Sequence, residues 1–253
     1  MRIYVISDLH VEYKQNRNWV NNLSRIDYKQ DTLIIAGDVA ADLNLIEEVF
    51  KFLSGIFFKV VYVPGNHDLW VNEEMNINSI EKLEIIRKIA DKYDISMSVV
   101  ELSGAIIVPL YSWYDYSFGK LNQELINTWA DFRRCKWPQN FSQQMIAECF
   151  FSINKTEDFN IKNKKIISFS HFLPDIKLVP RFFTNSISYL FPVMGSKRLL
   201  EVISNLQSDI HVFGHLHVNC NKTQGKTRFI NNSFGYTYET YFNKKKLQCI
   251  YEG

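Results

Sequence analysis

Histidines and aspartates recur in five short polar clusters, and these side chains are the ones best suited to chemistry. Five of the six histidines lie in the clusters, and His211 is the exception. The clusters are Ser7-Asp8-Leu9-His10, Gly37-Asp38, Gly65-Asn66-His67-Asp68, Ser170-His171 and Gly214-His215-Leu216-His217. Carboxylates, imidazoles and amide oxygens are ligands for divalent cations of hard to borderline character. Because so many ligands exceed what one catalytic metal needs, the set predicts two cations that share a carboxylate.

Each cluster taken alone has a simpler structural explanation. The Asp8-Leu9-His10 sequence is equally compatible with a cap or a turn, and Gly37-Asp38 is ordinary turn chemistry. Asn66 is compatible with a helix N-cap. If the strand continues, His215 and His217 would lie on one of its faces, which is compatible with a buried histidine pair. The clusters nevertheless follow strand-like runs one after another, and this recurrence favours a single shared site.

Short apolar runs rich in β-branched residues precede the clusters. They cover residues 3–6, 32–36, 60–63, 166–169 and 210–213. Such runs predict strands that are buried on both faces. Between the first three runs, apolar residues at helical spacing predict two helices, one with Trp19, Val20, Leu23 and Ile26, the other with Leu45, Ile46, Val49, Phe50 and Leu53. The alternation is typical of a mostly parallel sheet, in which ligands bind at the carboxyl ends of the strands.

The remaining patterns predict that the chain has two β-rich halves. They predict a helix over 80–93, a hairpin of 99–102 and 105–108 that turns near Gly104, and strands over 227–230 and 247–251. Between the halves we expect an aromatic-rich, partly helical excursion at about 111–160. Since no repeat or low-complexity linker divides the sequence, residues 1–253 are predicted to form a single domain.

The composition argues against several other classes of protein. Hydrophobic residues make up 46% and charged residues 22%, which are globular rather than disordered values. A net charge of +2 argues against binding to long nucleic acids. Four cysteines without a C-x-x-C pair argue against a thiolate zinc site or a disulfide framework. Asp8 comes too early for a signal peptide and no apolar run could span a bilayer, so we predict a cytoplasmic protein without membrane partners.

The five clusters, in this order, resemble those of the calcineurin-like metallophosphoesterase superfamily. The resemblance spans residues 1 to about 235. It implies an α/β fold, a four-layer α/β/β/α sandwich of two mixed β-sheets flanked by helices. It also implies two divalent ions, the first held by Asp8, His10, Asp38 and His217 and the second by Asp38, Asn66, His171 and His215. Such mixed ligands suit Mn, Fe, Zn or Co.

The same resemblance implies that His67 is the catalytic histidine, a non-ligand close to the scissile phosphate. In some relatives an acidic residue follows the second cluster and orients this histidine, but the spacing to Asp42 departs from that pattern. Whether Asp42, Asp68 or a backbone carbonyl orients His67 therefore stays open.

We hypothesise a dinuclear metal-dependent phosphoesterase that hydrolyses a phosphomonoester or phosphodiester, a nucleotide being one candidate substrate. The expected mechanism is in-line attack by a hydroxide that bridges the two ions, with His67 protonating the leaving group. The alternatives are a non-catalytic metal-binding scaffold for protein partners, which is expected to lack ligands, and a nuclease, which is expected to be more basic. The oligomeric state is not predicted.

Two interpretations of the aromatic segments stay open. Residues 111–118 and 129–137 are rich in aromatics, and Arg133 and Arg134 lie among the latter. Such residues can stack on a nucleobase while guanidinium groups bind phosphate. The rings can instead pack a helical excursion against the sheet. The same two interpretations apply to Pro180-Arg181-Phe182-Phe183.

Overall fold

The computed structural model describes residues 1–154 and 164–253, and strands in this part of the chain form two mixed sheets. The first sheet has the order β11-β1-β2-β3-β4, with β1 (Arg2–Ile6), β2 (Thr32–Ala36), β3 (Lys59–Val63), β4 (Ile95–Ser96) and β11 (Gln248–Glu252). Strands β1 to β4 are parallel, and β11 pairs antiparallel with β1.

The second sheet has the order β5-β6-β7-β8-β10-β9. Its strands are β5 (Val100–Glu101), β6 (Ala105–Pro109), β7 (Lys165–Phe169), β8 (Ile210–Phe213), β9 (Cys220–Gln224) and β10 (Thr227–Asn231). The four central strands are parallel, and the edge strands β5 and β9 are antiparallel to their neighbours. The predicted hairpin before and after Gly104 is therefore confirmed.

The two sheets pack face to face, and helices cover their outer faces. Alternate side chains of each strand fill the space between the sheets, as Val5, Ile34 and Val61 of the first sheet and Ile107 and Ile167 of the second do. The intervening side chains of the same strands join a separate core with the helices. Because both faces of each sheet are covered, the strands read as continuous apolar runs. The predicted four-layer sandwich is confirmed.

Helices occupy the predicted crossovers and several further connections. They are α1 (Lys14–Asn21), α2 (Leu43–Ser54), α3 (Ser79–Lys92), α4 (Gln123–Thr128), α5 (Asp131–Arg134), α6 (Gln143–Phe151), α7 (Arg181–Ile187) and α8 (Lys197–Asn205). Asp42 caps α2, and Asn78 and Glu81 form a capping box on α3, which fixes both starts. No helix in the described parts of the chain is long and apolar enough to cross a membrane.

Two expectations differ from the structure, and a third extends beyond the described residues. Helix α1 ends at Asn21, because the Ser24 hydroxyl accepts the N–H groups of Ile26 and Asp27 in a turn; Ile26 is 78% exposed. Strand β11 returns to the first sheet, so the two halves of the chain do not correspond to the two sheets. The excursion at 111–160 contains α4 to α6, but its residues 155–160 lie outside the described residues. The single-domain expectation stays a prediction.

His211, the histidine outside the clusters, is a buried part of β8. Its Nδ1 lies 2.8 Å from the Ser168 hydroxyl and its Nε2 lies 3.1 Å from the Ser170 hydroxyl. The Ser170 hydroxyl donates to the carbonyl of Phe172, so it accepts from His211. Burial lowers the pKa of His211 to about 3. This ring is therefore a neutral structural group.

We predict that His211→Gln makes the free energy of unfolding less dependent on pH. Because the pKa of His211 is about 3 in the folded chain and about 6.5 unfolded, the unfolded chain binds the extra proton. The stabilisation from neutral His211 is full above pH 6.5 and is lost as the pH falls towards 3. Between pH 7 and pH 5 the wild type should lose about 2 kcal/mol more than the variant, measured by urea denaturation in chelator. Parallel stability curves would contradict the assignment.

Candidate metal centre

All the predicted ligands lie together where the carboxyl ends of parallel strands from both sheets meet. Asp8 and His10 follow β1, Asp38 follows β2, Asn66 follows β3, His171 follows β7, and His215 and His217 follow β8. These side chains are buried or nearly so, and His215, at 9% exposure, is the most accessible of those in the buried class. Clusters that are far apart in the sequence therefore share one site.

One set of donor atoms comes from Asp8, His10, Asp38 and His217. One ligand atom from each of these residues lies within 4.8 Å of all the others. The Nε2 atoms of His10 and His217 are 3.1 Å apart, and His217 Nε2 is 3.2 Å from Asp8 Oδ1. His10 Nε2 is 3.8 Å from Asp38 Oδ2. Two carboxylates and two imidazoles thus face one point, which is a suitable donor set for a divalent cation.

A second set lies on the other side of Asp38. It contains Asp38, His171 and His215, again with one ligand atom from each within 4.8 Å of the others. His171 Nε2 lies 3.0 Å from Asn66 Oδ1, 3.1 Å from His215 Nδ1 and 3.5 Å from Asp38 Oδ2. The Asn66 amide oxygen therefore belongs to this set as well. Asp38 Oδ2 faces both sets, which is the position of a shared ligand.

The backbone at five of the seven candidate ligands is in the left-handed region. The φ angles are 54° at Asp8, 43° at His10, 56° at Asp38, 65° at His215 and 54° at His217. Residues other than glycine rarely adopt this conformation, and each instance costs on the order of 1–3 kcal/mol. Such residues concentrate at functional sites, where surrounding contacts hold them in place.

Two glycines allow the clusters to approach one another. Gly37 has a φ of 83°, and a side chain there would collide with the His171 ring. A side chain at Gly65 would collide with the carboxylate of Asp38. The glycines in the second and third clusters are thus required by close packing around the ligands.

Polar partners behind the site fix the orientation of three histidine rings. Each partner is an oxygen atom within hydrogen-bonding distance of the ring nitrogen that points away from the site. The partners are the Ala36 carbonyl for His171 (2.9 Å), the Val193 carbonyl for His215 (3.2 Å) and Glu239 Oε2 for His217 (2.7 Å). Contacts of this kind leave the other nitrogen free to bind a metal.

The electrostatics of the site favour cations. Burial raises the pKa of Asp38 well above its usual range, and the neighbouring carboxylates of Asp68 and Asp8 raise it further. No lysine or arginine among the described residues forms an ion pair with Asp8 or Asp38. Asp38 Oδ2 accepts no hydrogen bond from any described residue; only Oδ1 does, from the His67 backbone at 2.9 Å. A buried carboxylate such as Asp38 is costly without a compensating charge, and divalent cations would provide that charge. The residues therefore fit a metal pair.

His67 lies beside the shared carboxylate, and its ring contacts aromatic side chains. It stacks on Trp70 with a centroid distance of 3.6 Å, and its Nε2 is 3.5 Å from the Tyr236 hydroxyl and 4.0 Å from Asp38 Oδ2. Asp42 instead caps α2. Asp68 accepts the backbone N–H groups of residues 38, 39, 40 and 65. Neither of the two acidic candidates therefore orients this imidazole.

A family comparison agrees with this geometry. The family model for calcineurin-like phosphoesterases matches residues 1–219 of the chain. The chain belongs to the calcineurin-like phosphoesterase family. This membership confirms the family indicated by the five clusters, and the family match ends just beyond His217, the last of them.

Two individual proteins are also similar to parts of the chain. It is 34% identical over 129 residues to the [acyl-carrier-protein] phosphodiesterase PptH of Mycobacterium tuberculosis, covering 46% of this chain and 38% of that protein. It is 36% identical over 69 residues to the symmetrical bis(5'-nucleosyl)-tetraphosphatase of Proteus mirabilis, covering 27% of this chain and 25% of that protein. The matches therefore span well under two thirds of either relative.

One solved structure supports the fold directly. The crystal structure of phosphopantetheinyl hydrolase (PptH) from Mycobacterium tuberculosis superposes with a TM-score of 0.79 at 22% identity. The superposition covers 98% of this chain and 95% of that chain. The arrangement of the two sheets and their helices is therefore shared along nearly the whole length of both chains.

Asp131 is a buried carboxylate behind the second donor set that the sequence did not single out as a site residue. Its Oδ1 accepts from Asn66 Nδ2 at 2.8 Å and from Trp70 Nε1 at 2.7 Å. Its Oδ2 accepts from Trp129 Nε1 at 2.8 Å. Holding the Asn66 amide nitrogen turns its oxygen towards His171, so Asp131 positions a candidate ligand. It also fixes the indole on which His67 stacks.

A cavity of about 370 Å³ opens beside the donor sets, and aromatic residues contribute to it unequally. Trp129 lines it, whereas Trp113 and Tyr114 are buried in the core. Arg133 donates to the carbonyls of residues 127 and 128, and Arg134 lies over the Trp70 ring. Neither arginine lines the cavity. Packing therefore explains most of the 111–137 segment.

We predict that Asp131→Ala lowers the free energy of unfolding by about 3 kcal/mol or more. The substitution leaves the buried amide N–H of Asn66 and two part-buried indole N–H groups without an acceptor, and a fully buried donor of this kind costs about 1–3 kcal/mol. Asp131→Asn keeps one acceptor oxygen and should lie between the wild type and the alanine variant. Guanidinium denaturation measures the effect, with Asp91→Ala on the exposed face of α3 as the control. Equal stability of Asp131→Ala and the control would contradict this role.

Proposed function

We propose that this protein is a dinuclear metal-dependent phosphoesterase that hydrolyses a small phosphomonoester or phosphodiester. The observation that carries the proposal is the position of Asp38 Oδ2, which faces the imidazoles of His10 and His171 at 3.8 Å and 3.5 Å. These imidazoles belong to different donor sets, so a single carboxylate joins the two. Membership of the calcineurin-like phosphoesterase family supports the same activity.

In this proposal the ligands divide between the ions. The first ion is held by Asp8, His10, Asp38 and His217, and the second by Asp38, Asn66, His171 and His215. Two divalent ions bound there would lower the pKa of a coordinated water towards neutrality and withdraw charge from phosphate oxygens. The ligand types suit Mn, Fe, Zn or Co.

His67 is the proposed general acid. It is 15% exposed, lies at the cavity and is 4.0 Å from the shared carboxylate, so a phosphate at the metal pair would be within its reach. In the tautomer with a proton on Nε2, the ring can donate that proton to the leaving oxygen. Stacking on Trp70 and contact with Tyr236 restrict the rotation of the ring.

The proposed substrate is a small phosphate ester. The named relatives are a phosphodiesterase of acyl carrier protein and a dinucleoside tetraphosphatase, and a nucleotide remains one candidate for this chain. A non-catalytic scaffold is less well supported, because the donor sets are complete and His67 has no structural need to lie at the cavity. A net charge of +2 also disfavours a nuclease acting on long duplexes.

His67→Ala should retain two ions per chain and lose about 10²–10⁴-fold in kcat, since it removes a general acid and no ligand. The loss should be greatest with alkyl leaving groups, which need protonation, and smallest with p-nitrophenolate. Turnover of bis-p-nitrophenyl phosphate and of an alkyl diester measures this, with elemental analysis of the same samples. Wild-type turnover of the alkyl diester by the variant would refute the assigned role.

Asp38→Asn should weaken the binding of both ions together, because its carboxylate is the only ligand proposed for both. Elemental analysis after dialysis against manganese is expected to show about two ions in the wild type and well under one in the variant. Asp42→Asn is the matched control, since Asp42 lies nearby but caps α2. Selective loss of a single ion from Asp38→Asn would argue against a shared ligand.

A phosphoesterase and a scaffold differ in one assay. Purified protein loaded with manganese is incubated with bis-p-nitrophenyl phosphate and with p-nitrophenyl phosphate. We expect at least one of these esters to release p-nitrophenolate, and we expect a chelator to abolish the reaction. Full metal loading with no hydrolysis of either ester would favour the scaffold.

A further inference from the structure

One part of the cavity wall is apolar. It is formed by Trp129, Phe183, Ile187, Leu190, Met194 and Leu216, named here the apolar wall. Ile187, Met194 and Leu216 are between 3% and 7% exposed, whereas Phe183 and Leu190 are half-buried and remain accessible from the cavity. The volume of about 370 Å³ is within the range of small-molecule sites.

The apolar wall is connected to the second donor set by two structural links. The Val193 carbonyl faces His215 Nε2 at 3.2 Å, and Met194 follows directly in the chain. The Trp129 ring meets His215 edge-on at 5.8 Å, and its indole nitrogen is held by Asp131. A group attached to a phosphate at the metal pair would therefore contact the apolar wall without crossing solvent.

No lysine or arginine lines the cavity among the described residues. Two nearby cations are engaged elsewhere: the Lys245 ammonium contacts the backbone carbonyls of residues 234–236, and Arg134 lies over Trp70. The acidic side chains that line it besides Asp38 are Asp131 and Glu239. A further negative group near the apolar wall would therefore lie close to these carboxylates, with no lysine or arginine of the lining to offset its charge.

We propose that the apolar wall binds an uncharged, largely apolar organic group esterified to the phosphate. This inference rests on the proposed function and narrows its substrate to esters of uncharged groups. Polyphosphate chains, whose successive phosphates are all charged, fit the cavity poorly. The binding energy comes from removal of apolar surface from water on both partners.

The test uses n-alkylphosphonates, which present a phosphate-like head and one alkyl chain and are not hydrolysed. Their dissociation constants are measured by titration calorimetry with the manganese-loaded protein. From methyl- to butylphosphonate, each methylene should tighten binding about two- to fourfold, since burial of a methylene is favourable by about that factor. The charged analogue 4-phosphonobutyrate should bind at least about tenfold more weakly than butylphosphonate.

Variants locate the effect on the apolar wall. Phe183→Ala and Leu190→Ala should each reduce the ratio of butyl- to methylphosphonate affinity about threefold or more. Phe182→Ala is the matched control, because Phe182 is the neighbouring residue of α7, is 70% exposed and does not line the cavity. Its affinity ratio should equal that of the wild type.

Three kinds of result would overturn the inference. If methylphosphonate binds but affinity does not rise with chain length, or 4-phosphonobutyrate binds as tightly as butylphosphonate, the apolar subsite is wrong and the phosphoesterase proposal stands. If no phosphonate binds the manganese-loaded protein, the proposed function is contradicted and the inference falls with it. A chain-length effect that Phe183→Ala and Leu190→Ala leave unchanged would also overturn the assignment.

Discussion

The central constraint on this molecule is a buried carboxylate that lacks a protein cation. Asp38 is 1% exposed, and its Oδ2 is turned towards imidazole nitrogens from two donor sets rather than towards a lysine or arginine. Burial of such a group disfavours its charged form unless positive charge is close by. The surrounding loops hold it in this position, which is explained most simply by two cations that it would share.

The loops keep this position at a cost in backbone conformation. Five candidate ligand residues have left-handed φ angles, which residues other than glycine seldom adopt. Asp68 opposes this cost by accepting four buried N–H groups, so that it ties the loop after β2 to the loop after β3. Asp8 and His10 in turn donate their backbone N–H groups to the carbonyls of Gly37 and Asp38. The network of hydrogen bonds thus holds the candidate ligands in their strained backbone conformations.

The cavity combines two chemistries that suit different parts of a phosphate ester. Carboxylates and imidazoles form one part of its lining, and Phe183, Leu190 and their apolar neighbours form another part. Residues 188–194 contribute to both, because the Val193 carbonyl faces His215 while Leu190 and Met194 line the wall. In the proposed substrate complex, binding of the organic group to these residues would therefore help to position the phosphate next to His215.

Local patterns predicted the parallel strands and the shared position of the clusters at their ends, whereas the four-layer sandwich was implied by the family resemblance. The runs before Asp8, Asp38 and Asn66 carry the hydrophobic pattern of buried strands, and their order is typical of parallel crossovers. Helix α1 was predicted too long because the Ser24 turn overrides the apolar spacing that continues to Ile26.

Residues that support the site from a distance were not recognisable in the sequence. Asp131 reaches Asn66 across 65 positions, and Glu239 reaches His217 across 22. Nothing in the flanking residues distinguishes these carboxylates from exposed ones, since their roles arise only when distant segments pack together. Asp131 lies two residues after Trp129 in the sequence, and this is the nearest thing to a sequence signal. Its contact with Trp70 exists only in the folded chain.

Anomalous diffraction from crystals of the manganese-loaded protein tests the shared carboxylate most directly. The account predicts two manganese peaks about 3.5–4 Å apart, with an oxygen of Asp38 within coordination distance of both. One peak only, or two peaks without Asp38 between them, would contradict it.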